Sequence, residues 1–122
     1  MAAGIALGGI AHADETSDRQ HCTAAFDAGD WHGVAVYCTT AAEDASLAAQ
    51  NDTGDQRALD LLRRGTDLID VAMAYSNLQD SRESQAYALA KVALIEAQHA
   101  TTNERLLWFV SQELRVIPKG VP

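Results

Sequence analysis

From Met1 to Ile117 the chain carries no proline; its two prolines are Pro118 and Pro122. Proline removes a backbone donor and clashes with the preceding turn, so it breaks helices. Nearly the whole chain is therefore free to form uninterrupted helix. Alanine is abundant and favours that outcome, because it loses no side-chain entropy on folding. No long stretch alternates apolar and polar residues with a period of two, the mark of a half-buried strand. An all-α fold follows.

Caps and periodicity divide the chain into about five helices. The first runs from about Ser17 to Ala28 and ends at Gly29, which adopts a left-handed C-terminal conformation without strain. Asp30 caps the second, along which Trp31, Val34, Ala35, Cys38, Ala41, Ala42 and Ala45 recur at offsets of three and four. That helix fades near Gln50 to Asp52. Thr53-Gly54-Asp55-Gln56 has the form of a capping box. The third helix then reaches about Leu78, with Leu61, Gly65, Leu68, Ala72 and Tyr75 on one face and Leu62, Ile69 and Val71 beside them. Gly65 marks a kink or a close helix approach. Asp80-Ser81-Arg82-Glu83 and Thr101-Thr102-Asn103-Glu104 read as two more capping boxes. The fourth helix buries Ala86, Leu89, Ala90, Ala93, Leu94 and Ala97. The fifth buries Leu106, Leu107, Val110 and Leu114, and Pro118 stops it. Loops this short join antiparallel neighbours, so stacked antiparallel helix hairpins are expected. Small residues let the helices approach, while Trp31, Tyr75, Tyr87, Trp108 and Phe109 fill the wider gaps.

The first residues stand apart. Met1 to Ala13, MAAGIALGGIAHA, has no polar side chain from Ala2 to Ile10. Its Ala11-His12-Ala13 has the small-x-small form of a signal-peptidase site. We expect residues 1–13 to be a bacterial-type export signal, 14–117 a helical-hairpin domain and 118–122 a loose tail. No Lys or Arg precedes Arg19, so a short apolar helix docked on the body is the other reading. The first reading places the protein in the periplasm or outside the cell. No later segment reads as a membrane span, so no stable membrane insertion of the mature chain is expected.

The formal net charge of −8 opposes a nucleic-acid surface, which needs clustered Lys and Arg. No phosphate loop, dinucleotide fingerprint, Gly-x-Ser-x-Gly or His-Glu-x-x-His occurs, so neither a cofactor nor catalysis is expected. Asp60, Asp67 and Asp70 recur at helical spacing and read as a solvated face, as do Glu43 and Asp44. His99 sits favourably near the end of the fourth helix.

Cys22 and Cys38 are the only cysteines. Cys22 lies seven residues before Gly29 and Cys38 eight after Asp30, so an antiparallel hairpin brings them to one height. In an oxidising compartment this predicts a disulfide closing a loop of about fifteen residues, worth about 3 kcal/mol. Two reduced core cysteines, or a functional thiol or metal site, are the alternatives. The metal version would gather His21 and His32 with the cysteines. However, His21 points about 100° away from Cys22 on a helix, and neither pair has zinc-finger spacing. We therefore expect no metal.

Two stretches resemble tetratricopeptide (TPR) hairpins. Cys22 to Ala42 places small and aromatic residues before a Gly29-Asp30 turn, an aromatic directly after it, and small residues down the next helix. Leu68 to Leu94 places Ala72, Tyr75 and Leu78 before a Gln79-Asp80 turn, and Ala86, Ala90 and Ala93 after it. The resemblance implies a non-catalytic module that binds a protein or peptide on a concave face, as an adaptor or a subunit of an envelope assembly. Trp31, Tyr75, Tyr87 and Trp108 are then packing or interaction residues. The leading alternative is a redox- or metal-responsive protein using Cys22 and Cys38. A small enzyme, with a polar pocket, ranks third.

Overall fold

The structure, a computed structural model, describes residues 16–122. The expected export signal, residues 1–13, lies outside the described residues. Among these residues the chain forms five helices: α1 (16–27), α2 (Trp31–Asn51), α3 (Gly54–Asn77), α4 (Glu83–Ala100) and α5 (Glu104–Val116). They run as successive antiparallel neighbours. The long α3 packs along most of its length between α2 and α4, while α5 touches α3 and α4 more lightly.

The helices start and stop for local reasons. Gly29 takes a φ of +68°, and the Asp30 amide donates to the Ala25 carbonyl at 2.9 Å, closing α1 with a Schellman turn. Asp30 then caps α2 by accepting from the Gly33 amide. The turn after α3 repeats this device. There Asp80 N donates to Tyr75 O at 2.8 Å, and Gln79 holds a φ of +54°, a conformation disfavoured for a side chain with a Cβ.

The three capping boxes differ from expectation. Thr53 stands at the α3 N-cap without a side-chain cap bond, and Gln56 reaches forward to the buried Asp60 rather than back to Thr53. Asp80 accepts from the Arg82 amide and guanidinium, so α4 begins at Glu83. Asn103, not Thr101, caps α5, accepting from Arg105 N and Leu106 N. The Thr101 hydroxyl instead accepts from the Asn103 amide and donates to Asp55 on α3.

Small residues set the spacing. Ala41, Ala42, Ala45 and Ala49 of α2, and Ala86, Ala90, Ala93 and Ala97 of α4, are buried. Such seams let helix ridges interdigitate closely. Gly65 is a point of close approach: a Cβ there would meet Leu94 Cγ and Cδ2 at 2.6 Å, and Leu94 is fully buried. Arg57 and Arg64 reach across from α3 to the carbonyls of Ala49 and Ala42.

Some expected core positions face outward. Leu89 is exposed, and so are Trp108 and Phe109, which stack edge to face on α5. Helix α5 packs through Val110 and half-buried Leu106 and Leu114, a face too narrow to include both aromatics. The tail, expected to be loose, is tied at one point: Lys91 Nζ donates to the Val121 carbonyl at 2.9 Å. The two TPR-like turns stand fifty residues apart, against a repeat of about 34. The 24-residue α3, an unbroken helix serving both hairpins, accounts for the excess.

Candidate functional site

Cys22 and Cys38 form a disulfide between α1 and α2, with Cα atoms 4.6 Å apart. The bond is buried: Cys22 is 3% exposed and Cys38 0%. Rings flank it along the same seam. His21 stacks on Tyr37 with centroids 5.0 Å apart, and Phe26 meets Trp31 edge to face at 5.6 Å.

A third helix completes the site. The Asp70 carboxylate of α3 lies with both sulfurs in a group whose ligand atoms are all within 4.8 Å of one another. One turn before it, Asp67 is 2% exposed and receives two parallel hydrogen bonds, each 2.9 Å, from the Arg19 guanidinium of α1. This planar fork is the geometry in which an arginine–carboxylate pair is strongest. α1 is thus fastened twice, covalently to α2 and ionically to α3.

These surroundings act on Asp70. Burial first, then the neighbouring charges of Asp67 and of Glu113 on α5, raise its pKa from 3.8 to about 7 against an opposing pull from Arg19. Burial raises Glu113 too. Near neutrality the site therefore holds a disulfide beside a carboxyl that is populated in both its protonated and its ionised form.

The expected solvated face of α3 needs correcting. Asp60 and Asp67 are buried and Asp70 is partly covered, because α3 is the central helix and α1 lies over that side. The sequence places the three carboxylates in register but does not say which helix is central. The histidines are not drawn in: His21 is on Tyr37 and His32 is exposed. Asp70 is the residue that joins the cysteines.

The aromatic residues singled out in the sequence are dispersed. Trp31 is half-buried against Phe26, and Tyr87 is in the core. Tyr75 lies under the Arg82 guanidinium, 4.6 Å from its ring centroid. Trp108 is 58% exposed at the far end of the stack. A cavity of about 400 Å³ opens between α1, the end of α2 and the start of α3, lined by Arg19, Gln20, Ala48, Gln56, Asp60 and Arg63 among others. Among the described residues, no helix is long and apolar enough to cross a membrane.

Comparisons with protein-family models, with curated proteins and with solved structures find no match.

Proposed function

We propose that the chain is a thiol-redox-responsive helical protein, in which the Cys22–Cys38 disulfide clasps α1 to the stack and Asp70 handles the proton when the clasp opens. The observation that carries this reading is the convergence of the Asp70 carboxylate on both sulfurs. A disulfide serving only as a staple gains nothing from a partly desolvated carboxyl beside it.

Cys22, on the edge helix α1, is the less deeply buried of the pair, so local opening of α1 would present Cys22 Sγ to an incoming thiolate from a dithiol reductant. The Cys22–Cys38 bond breaks, a mixed disulfide forms on Cys22, and Cys38 leaves with the electron pair. Asp70, in its protonated form, gives that thiolate a proton and regains one from solvent. The reductant's second thiol then attacks its own sulfur in the mixed disulfide and releases Cys22, which is protonated in turn. Two electrons and two protons pass to the protein, and the reductant becomes a disulfide. The product is a stack whose α1 is held ionically through Arg19 and Asp67. The response is a change in the protein's own shape, so the reading is non-catalytic. It also fits an exported chain whose resting state is oxidised.

The test is the rate at which a dithiol generates free thiols in the folded protein. Asp70→Asn should slow that reaction about tenfold or more below neutral pH, as removal of a general acid does. A disulfide that opens only in denaturant would make the bond a structural staple and end the proposal.

A second reading, the TPR-like interaction module, is supported by a different observation. Leu89, Val92 and Glu96 of α4 face Ser46 and Gln50 of α2 across a groove floored by Leu61, Arg57 and Arg64 of α3. Opening the clasp would alter the α1–α2 end of that stack, so the two readings are compatible in one molecule.

A further inference from the structure

We propose that reduction of the Cys22–Cys38 disulfide creates a site for one thiophilic divalent cation of the zinc class, with the two cysteine sulfurs and the Asp70 carboxylate as protein ligands. The inference rests on the redox reading, because the sulfurs are joined in the oxidised protein.

Three donors from three helices already converge, with all ligand atoms within 4.8 Å of one another. A tetrahedral zinc with sulfurs at about 2.3 Å holds them about 3.8 Å apart. Once their bond is broken, two sulfurs separate to nearly that distance by van der Waals repulsion alone. Reduction therefore supplies the spacing the metal needs, and the carboxylate lies within reach of the third position. Helix α1 can follow the adjustment, since its other named tie, Arg19 to Asp67, is a pair of side chains.

Donor chemistry selects the ion. Two thiolates favour zinc and its neighbours over magnesium or calcium, which take oxygen ligands. Two thiolates and one carboxylate carry three negative charges, which a divalent cation largely neutralises. Three protein donors leave the fourth tetrahedral position to water. Metal binding would then fasten α1 again after the covalent clasp has opened.

The experiment uses the full chain, reduced by a dithiol and freed of it under nitrogen, then titrated with cobalt(II). A parallel thiol count and far-ultraviolet dichroism report reduction and folding. The expected result is one cobalt per chain, with a sulfur-to-cobalt charge-transfer band and tetrahedral visible bands, both abolished by one equivalent of zinc. Asp70→Asn should keep the sulfur band but weaken binding at least tenfold. Two free thiols in a folded chain with no such band would overturn the site and leave the redox reading standing. Unchanged affinity in Asp70→Asn would overturn the ligand set. A thiol count of zero in the folded chain would sink the redox reading, and this inference with it.

Discussion

A carboxyl that shares its surroundings with a disulfide and two other carboxylates gains little by ionising. Asp70 stays protonated in the folded protein up to about pH 7, whereas in the unfolded chain it ionises above about 3.8. Between those values the native state binds more protons, so stability falls as pH rises. The contribution is fully present below pH 3.8 and is gone above about 7. Each tenfold change in proton affinity is worth about 1.4 kcal/mol, and solvent access to this partly covered group removes about half of the total. Urea unfolding of the oxidised, metal-free protein should therefore show a decline of about 2 kcal/mol between pH 4 and pH 8 that Asp70→Asn lacks. Parallel pH profiles for the two proteins would mean that Asp70 ionises freely in the fold. The spacing of Asp60, Asp67 and Asp70 is plain in the sequence, but its meaning is not. Carboxylates in helical register look the same on a solvated face and on one that a neighbouring helix covers.

Helices are the scale at which this sequence is most legible. Gly29 and Asp30 mark the α1–α2 turn through elementary backbone chemistry, and equal distances from that turn place Cys22 opposite Cys38. Helix starts are less legible where several capping residues are adjacent. In Thr101-Thr102-Asn103 the cap is Asn103, while Thr101 bonds to Asp55, a partner remote in sequence. Which stripe is buried is legible for α2, whose alanines have one partner face. It is less so for α5, where Trp108 and Phe109 are turned outward. Joining residues sixteen apart constrains the unfolded chain enough to be worth about 3 kcal/mol. Replacing both cysteines, Cys22→Ala with Cys38→Ala, should lower the unfolding free energy by about that amount while leaving the helix content seen by dichroism nearly intact. A loss well under 1 kcal/mol would show that α1 is held mainly by the Arg19–Asp67 fork and the packed rings.

Taken as a whole, the molecule is a stack built outward from α3, and its stability should be graded in the same order. α3 is covered by α2 and α4 along its length, buries Leu61, Leu62, Leu68, Ile69 and Val71, and locks into α4 where Leu94 fills the notch at Gly65. α5 lies at the edge with Val110 as its one fully buried side chain. α1 is held by its two ties and by the packing of Ala25 and Phe26 against the core. Segments with few buried apolar contacts open locally at low free energy, and those at the centre exchange only on global unfolding. Amide hydrogen exchange of the oxidised protein should therefore be slowest in the middle of α3 and the facing turns of α2 and α4, and faster in α5. Reduction removes a tie from α1 without touching the α2–α3–α4 packing. Exchange in α1 should then rise at least tenfold, the segment around Cys38 should loosen slightly, and the centre of α3 should stay unchanged. That pattern would identify the disulfide as a local clasp whose opening is felt at one end of the stack. A uniform rise across all five helices would instead show that the bond stabilises the fold globally, and that opening it unfolds the protein rather than switching it.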